Sequence, residues 1–210
     1  MSATGRNLEA REDFDYYPTP WWCIDRLLTN LHVAEIGWRV LEPCAGDGAI
    51  VRIFSTLPGL DTLQSIEAWE IQERFEPELI SSGASPVHIG DALAIAALYQ
   101  EAGIRFDIAL TNPPFSLAWE LLRALWPICD RIVFLLRLSF LASVQRAPWM
   151  STHAPDIYVL PNRPTFRFGR QDNCDYAWFS WDTRIERSRG TVEILDLTPR
   201  SERVGESRRK

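Results

Sequence analysis

Short apolar segments alternate with amphipathic ones along this chain, and the alternation changes after about residue 136. Compact runs of apolar residues bounded by Gly, Pro or charged residues predict strands, and apolar residues three and four apart predict helices. The predicted strands cover 39–42, 65–71, 87–89, 106–111, 131–136, 156–160, 176–181 and 191–197. The predicted helices cover 21–32, 49–57, 92–101 and 118–125.

Strands and helices alternate through residue 136, which is typical of an α/β fold with a mostly parallel sheet and helices on both faces. The later strands follow one another without a long helix, so we expect the last pair to form an antiparallel edge. We predict one domain over residues 16–198, preceded by a flexible arm over 1–15 and followed by a disordered basic tail over 199–210.

The composition of the 210 residues, 46% hydrophobic and 24% charged, excludes a disordered or fibrous protein. The best apolar run, 132–142, is interrupted by Arg137 and is too short to span a bilayer, and the N-terminus carries no signal-peptide core. The four cysteines stand far apart without a CxxC pair or a His at ligand spacing, so we expect neither a metal site nor a disulfide framework. A reducing, cytoplasmic location is predicted.

Charge is distributed unevenly along the chain, which carries a net charge of −6. Residues 1–120 hold 7 basic and 18 acidic side chains, whereas residues 121–170 hold 7 basic and 2 acidic ones. All but one of the cations are Arg, which suits phosphates and base edges better than Lys. The cationic stretch therefore keeps nucleic acid open as a partner, although a solvated basic face explains it equally well.

A glycine turn follows the first strand and opens a helix, in the run Glu42-Pro43-Cys44-Ala45-Gly46-Asp47-Gly48. Two glycines separated by one residue permit a tight turn and a close approach of the backbone to a ligand. The run lacks the third glycine of a dinucleotide-binding loop. The Glu42 carboxylate would repel a pyrophosphate but would pair with an ammonium group. Glycine turns at strand ends are common, so a plain turn explains the run equally well.

Two further acids end the second and third strands. Glu70 is placed where a carboxylate can accept hydrogen bonds from both hydroxyls of a ribose. Asp91 follows the third strand, and it also fits an ordinary N-cap of the helix that begins at Ala92. For each acid alone a solvated or capping role is the simpler interpretation.

The tetrapeptide Asn112-Pro113-Pro114-Phe115 follows the fourth strand, at the sheet edge where open α/β folds bind ligands. The two prolines remove backbone donors and fix the chain, so that carbonyl oxygens can point outward as acceptors. Asn112 adds a side-chain carbonyl, and together these oxygens can accept both hydrogens of an exocyclic amine. Phe115 offers a face on which a planar base can stack.

These residues together resemble the S-adenosylmethionine-dependent amino-methyltransferases, and among them the DNA adenine-N6 methyltransferases of small phage and prophage type. The family signature is a (D/N/S)PP(Y/F/W) motif after the fourth strand, here residues 112–115. The resemblance spans about residues 16–181. It implies a Rossmann-like class I methyltransferase fold, with S-adenosylmethionine as the cofactor and the N6 amine of adenine in DNA as the methyl acceptor.

The resemblance also implies a set of cofactor-binding residues on the arm, the glycine turn and the strand ends. These are Tyr17, Thr19, Pro20, Glu42, Cys44, Ala45, Gly46, Gly48, Glu70, Ile71, Asp91, Ala92 and Asn112. Residues 17–20 resemble the arm that closes over the methionine carboxylate. Glu70 matches the acid that binds the ribose, and Asp91 matches the residue that reads the adenine amine of the cofactor.

For catalysis, the resemblance implies that the target base leaves the stack and enters a pocket formed by Asn112, Pro113, Pro114 and Phe115. Asn112 and the Pro113 carbonyl accept the two amine hydrogens, and positioning supplies most of the rate without a strong general base. Phe166 lies in a late motif of the family and is expected to pack against the flipped base.

No segment is long enough for a separate target-recognition domain, because only residues 138–175 and the two tails are spare. The predicted nucleic-acid contacts in and beside that segment are Arg137, Arg146, Arg163, Arg167 and Arg170, with Phe166 at the base. Trp149 is expected to lie in a loop, where it is free to touch substrate. We expect single- or double-stranded DNA as the partner, with relaxed or short-site specificity, or a homodimer or a second protein that supplies specificity.

Three other functions stay open. The same motif serves in methylation of RNA adenine or of a protein glutamine amide, although those relatives often carry a larger N-terminal recognition domain. A non-catalytic methyltransferase-like subunit would bind nucleic acid only, but such subunits usually lose the cofactor loop or the tetrapeptide. A nicotinamide-dependent oxidoreductase has a similar fold, and the missing third glycine and the Glu42 carboxylate argue against it.

Overall fold

A computed structural model describes residues 17–30, 38–54, 65–166 and 173–203 of the chain. The predicted N-terminal arm and the last part of the predicted tail lie outside these ranges. The predicted helix ends at residues 32 and 57 lie outside them as well.

Within the described residues, eight strands form one mixed sheet in the order β3-β2-β1-β4-β5-β7-β6-β8. The strands are β1 (Arg39–Glu42), β2 (Ser65–Glu70), β3 (Val87–Ile89), β4 (Phe106–Thr111), β5 (Cys129–Arg137), β6 (Asp156–Val159), β7 (Tyr176–Asp182) and β8 (Val192–Ile194). The first five strands pair in parallel, and β7 runs antiparallel to both β5 and β6. The predicted mostly parallel sheet with an antiparallel edge is confirmed, and β8 adds a parallel pair with β6 at its outer side.

Helices cover both faces of the sheet, as the pattern predicted. They are α1 (Trp21–Asn30), α2 (Ala49–Phe54), α3 (Glu76–Ser82), α4 (Ala92–Glu101), α5 (Ala118–Leu125) and α6 (Ala147–Met150). The central strand β5 explains the two layers, because successive side chains point to opposite faces. Phe134 packs in the cluster that holds α4 and α5, whereas its neighbours Val133 and Leu135 pack in the cluster that holds α1 and α2.

The pattern missed α3 and α6. Helix α3 buries only Leu79 and Ser82, so its sequence lacks an apolar stripe, although Pro77 near its start and Gly83 after its end are typical helix boundaries. Helix α6 is a single turn of four residues. Strand β5 extends beyond the predicted 131–136 at both ends, because β4 pairs with Cys129 at its start and β7 pairs with Arg137 at its end.

The start of the predicted tail packs against α1. Arg26 donates to the Thr198 hydroxyl at 3.1 Å and to the Glu202 carboxylate at 2.8 Å. These contacts hold Thr198 and Glu202 against α1. In the described ranges, no helix is both long and apolar enough to cross a membrane.

Candidate active site

The carboxyl ends of β1, β2, β3 and β4 meet at one edge of the sheet, because these strands are parallel neighbours. Glu42 is the last residue of β1 and Glu70 the last of β2, while Asp91 and Asn112 follow β3 and β4 within two residues. A cavity of about 470 Å³ opens at this edge. That volume lies within the range of small-molecule sites.

Most residues predicted to bind a cofactor line this cavity. They are Tyr17, Thr19, Glu42, Cys44, Ala45, Gly46, Glu70, Ile71, Asp91, Ala92 and Asn112. The prediction did not include eight other lining residues, which are Pro18, Pro43, Asp47, Ala49, Gln72, Gly90, Ser116 and Leu117. Each of these directly adjoins a predicted site residue or lies within two positions of one, so their place next to the motifs was the available signal.

Two predicted cofactor residues lie outside the cavity lining. Pro20 accepts a backbone hydrogen bond from Cys23 at 3.0 Å and so begins α1. Gly48 has a left-handed φ of 77°, and a Cβ atom there would lie 2.8 Å from the Ser82 hydroxyl. Gly48 therefore lets the turn pack closely against α3.

Glu70 is buried, at 6% exposure, and its carboxylate organises the glycine turn. One oxygen accepts from the Gly46 N–H at 2.7 Å, and the other accepts from the Gln72 N–H at 2.9 Å. Gly46 adopts a φ of 54°, which favours glycine. Since each carboxylate oxygen has two lone-pair sites, both oxygens keep the capacity to accept a ligand hydroxyl as well.

Glu42 lies deeper, at 3% exposure, and accepts a hydrogen bond from the Val51 N–H at 3.2 Å. Burial raises the pKa of the Glu42 carboxyl well above its usual range, and the Asp47 and Glu70 carboxylates raise it further, against the lowering effect of the Val51 N–H. A buried acid beside other acids gains most from a cation. A positively charged group in the cavity would therefore favour the ionised form of Glu42.

Asp91 combines the two roles that its sequence context suggested. Its carboxylate accepts from the Leu93 N–H at 2.8 Å and caps α4, and the residue also lines the cavity.

Cys44 lies between the acids, where burial raises the pKa of its thiol above the usual range. A thiol held protonated in this way is a weak nucleophile.

Asn112 joins the cavity to the N-terminal arm. Its side-chain Nδ2 donates to the Tyr17 carbonyl at 3.1 Å, which fixes the amide and leaves Oδ1 as the acceptor end. Among the described residues, none donates to Asn112 Oδ1 or to the Pro113 carbonyl. Pro114 also lines the cavity, and its carbonyl accepts from the Leu117 N–H at 2.9 Å, which closes the turn after the tetrapeptide.

Phe115 and Pro113 do not line the cavity; the Phe115 ring faces an aromatic cluster beside it. The Tyr176 ring lies 5.9 Å from Phe115 and 5.1 Å from Phe166, and Phe166 lies 6.2 Å from Tyr17. Arg137 places its guanidinium 4.7 Å from the Phe115 ring and donates to the Tyr176 hydroxyl at 3.1 Å. The Tyr176 ring thus links the predicted base-contacting residue Phe166 to Phe115 of the tetrapeptide.

The other arginines that were predicted to contact nucleic acid have different surroundings. Arg163 forms a 2.8 Å ion pair with Asp175, and both side chains are about half exposed. Arg146 turns inward: its Nε and Nη2 donate to the Phe140 carbonyl at 3.0 and 2.7 Å, and burial lowers the pKa of its guanidinium. Arg167 and Arg170 lie outside the described residues.

Trp149 is not in a free loop, contrary to the prediction. It lies on α6 and packs edge-on against Trp119 and Trp126, with ring centroids 5.3 and 4.8 Å apart, while His153 stacks on it at 4.5 Å. The sequence around Trp149 does not indicate this packing, because its partners Trp119 and Trp126 lie on α5 and in the turn after it. Within the described ranges, no group of three His, Cys, Asp or Glu side chains is placed to hold a metal ion.

Comparison with known proteins gives structural relatives and no sequence family. No protein-family model matches the chain, and no curated protein matches it. The methyltransferase subunit of a type I restriction-modification system from Streptococcus thermophilus superimposes with a TM-score of 0.62 at 13% identity, over 90% of this chain and 51% of that one. The chain thus spans about half the length of that subunit.

Two smaller proteins share the same architecture. A protein from Pyrococcus horikoshii described as an RNA methyltransferase has a TM-score of 0.61 at 17% identity, over 80% of this chain and 88% of that one. A Listeria monocytogenes protein described as a class I S-adenosylmethionine-dependent methyltransferase has a TM-score of 0.58 at 11% identity, over 87% of this chain and 66% of that one. This chain therefore has the Rossmann-like fold of class I methyltransferases, as predicted.

Proposed function

We propose that this protein transfers a methyl group from S-adenosylmethionine to the exocyclic N6 amine of adenine in DNA. The observation that carries the proposal is the arrangement of two acceptor oxygens in the tetrapeptide. Asn112 is locked through Nδ2 to the Tyr17 carbonyl, so two acceptors, Asn112 Oδ1 and the Pro113 carbonyl, stand beside a cavity lined by acids. An exocyclic amine has the two hydrogens that such a pair of acceptors needs.

The cavity residues fit S-adenosylmethionine by their chemistry. Glu42 is a buried acid suited to the ammonium group of the methionine part, and Glu70 can accept from ribose hydroxyls while it holds Gly46. Asp91 is suited to the adenine amine, and Tyr17 and Thr19 also line the cavity. When bound, the cofactor supplies a methyl group on a sulfonium, which a nitrogen lone pair can attack.

On the substrate side, the two acceptor oxygens orient the amine. Hydrogen bonds to Asn112 Oδ1 and the Pro113 carbonyl draw both hydrogens away from the conjugated plane, so the nitrogen lone pair localises. These bonds strengthen as the nitrogen becomes pyramidal, and they belong to the transition state more than to the ground state. The rings of Phe115, Phe166 and Tyr176 form an aromatic cluster that can stack the extruded base.

DNA is proposed as the substrate because Arg137, from the cationic stretch, lies against this cluster and a restriction-modification methyltransferase subunit shares the fold. We infer short-site or relaxed specificity, or specificity supplied by a second protein or a second copy. RNA adenine is the second candidate, because the protein described as an RNA methyltransferase matches this chain over 88% of its own length.

Radiolabelled S-adenosylmethionine incubated with the protein and separate pools of DNA, RNA and protein tests the proposal. We expect label in DNA, and mass spectrometry of the digested nucleosides should find it as N6-methyladenine. Label in RNA alone would replace DNA by the second candidate. Binding of the cofactor with no transfer to any pool would favour a non-catalytic subunit.

A further inference from the structure

The segment of residues 17–20, which precedes α1, touches both sides of the site. Residues 17–19 line the cavity. The Tyr17 carbonyl accepts a hydrogen bond from Asn112 Nδ2 at 3.1 Å, and the Tyr17 ring lies edge-on to the Phe166 ring, with centroids 6.2 Å apart. Tyr17 therefore contacts the cavity, the tetrapeptide and the aromatic cluster together.

The backbone of this segment is held in place. Tyr17 and Thr19 each precede a proline, which restricts both residues to extended conformations. The Pro20 carbonyl accepts from the Cys23 N–H at 3.0 Å at the start of α1, and the Cys23 carbonyl accepts from the buried Trp178 Nε1 of β7 at 2.9 Å. A short extended stretch therefore ties the Tyr17 carbonyl to an anchored helix.

Aromatic rings connect Tyr17 to the last residue of the tetrapeptide as well. Phe166 lies edge-on to Tyr17 and also to Tyr176, whose ring centroid is 5.1 Å away. Tyr176 is fully buried and lies 5.9 Å from the ring of Phe115. Tyr17 thus contacts Asn112 directly and is linked to Phe115 through two intervening rings. The acceptor oxygen and the rings proposed to stack the base share one support.

The direction of the hydrogen bond to Tyr17 matters for the chemistry of Asn112. A side-chain amide has a carbonyl end that accepts and an NH2 end that donates. If the Asn112 amide were rotated by half a turn, its NH2 group would face the amine hydrogens of a substrate and could not accept them. The Tyr17 carbonyl is an acceptor, so it pairs with the NH2 end and leaves Oδ1 for the substrate.

We infer that Tyr17 is a positioning residue for methyl transfer: its carbonyl sets the orientation of the Asn112 amide, and its ring holds Phe166 in the aromatic cluster. The inference rests on the proposed function, in which Asn112 and the cluster act on the target adenine. Tyr17 acts through these groups rather than on the reacting atoms, and misplacing such groups lowers the rate of the chemical step.

The test measures the single-turnover rate of adenine methylation in DNA, with S-adenosylmethionine and the oligonucleotide both saturating so that changes in affinity do not contribute. Asn112→Asp keeps acceptor oxygens at this position and removes the NH2 donor that pairs with Tyr17. We expect it to lower the rate about tenfold or more, because the carboxylate and the Tyr17 carbonyl are both acceptors. If Asn112 needed only an acceptor oxygen, this variant would stay fully active.

Substitution of Tyr17 tests the contribution of its ring. Tyr17→Phe retains the ring and the carbonyl, so its rate should stay within about twofold of wild type. Tyr17→Ala retains the carbonyl alone and should lose about tenfold. The loss in the Y17A/N112D double variant should be smaller than the product of the two single losses, because both substitutions disturb one contact.

Tyr158→Ala is the matched control, because Tyr158 is also partly buried but lies on β6, between β7 and β8. Its rate should equal that of wild type. If Tyr17 only stabilised the fold, Tyr17→Ala would lower the melting temperature and keep its rate. That result would overturn the inference, as would a fully active Asn112→Asp or an equal loss in Tyr158→Ala. A wild type that methylates no adenine in DNA would instead contradict the proposed function, and the positioning role with it.

Discussion

The two halves of the site differ in charge and in kind of side chain. The half at the carboxyl ends of β1, β2 and β3 is acidic, with Glu42, Glu70 and Asp91 around a glycine turn. The half beside β4, β5 and β7 is aromatic, with a guanidinium on the ring of Phe115. The first suits a small cation with hydroxyl groups, and the second suits a planar base attached to phosphates. Two ligands of opposite charge can therefore meet at Asn112 without competing for the same residues.

The largest expected effect comes from Asn112, which lies where the halves meet. Asn112→Ala should lower the single-turnover methylation rate of adenine oligonucleotides at least about a hundredfold, equivalent to roughly 2.7 kcal/mol, because a transition-state acceptor is lost. Cofactor affinity should change less.

Asn30→Ala is the matched control, because Asn30 also donates through Nδ2 to a backbone carbonyl, that of Arg26 at 2.8 Å. If Asn112 only shaped its turn, both variants would lose some thermal stability and keep their turnover. A folded Asn112→Ala protein that transfers methyl groups at a near wild-type rate would end the assignment.

The acidic half is tested through Glu70. Glu70→Ala should weaken binding of S-adenosylmethionine by about 2–3 kcal/mol, because charge-assisted bonds to the ligand and the support of Gly46 are lost together. Calorimetry measures the change directly. Glu67→Gln serves as a control, since Glu67 is equally buried on β2 but bonds to Trp69 and Tyr99 outside the cavity. Equal affinities for Glu70→Ala and wild type would refute the role.

The contribution of the cationic stretch, residues 121–170, to DNA binding is tested through its salt dependence. If about four phosphates are contacted, log K for DNA should fall with log salt at a slope near −3 to −4. Arg163→Glu should flatten the slope by about one. Arg184→Glu provides a comparison, because Arg184 is also exposed and ion-paired, with Asp182, but lies at the opposite end of β7 from Tyr176. A slope that neither variant alters would mean that the cationic stretch is ordinary surface.

The smallest effect concerns the pH dependence of stability. Burial raises the pKa of the Glu42 carboxyl in the folded protein, so folding favours its protonated form. The stability from this group is present at low pH and is lost as the pH rises through the folded pKa. Glu42→Gln keeps an acceptor for the Val51 N–H without the charge. Its melting temperature should therefore exceed that of wild type at pH 8, and the gap should close towards pH 4.

The local sequence pattern was sufficient to predict much of the α/β framework and the acidic half of the site. Strands such as Phe106–Thr111 are compact apolar runs, and the glycine turn and the strand-end acids need only the next few residues to define their geometry. The parallel order then brings the strand ends together, because strands that run side by side in one direction end at one edge. The sequence therefore predicted most of the cavity lining.

Tertiary structure decided the aromatic half, because its contacts join residues that are far apart in the chain. Asn112 and Tyr17 are 95 positions apart, and only the folded chain shows that their hydrogen bond orients the amide. The same reason explains Arg146 and Trp149: their partners Phe140, Trp119 and Trp126 follow from how the loop and α6 fold back on the core. Side-chain roles set by such packing carry no periodic signal, whereas strands and turns do.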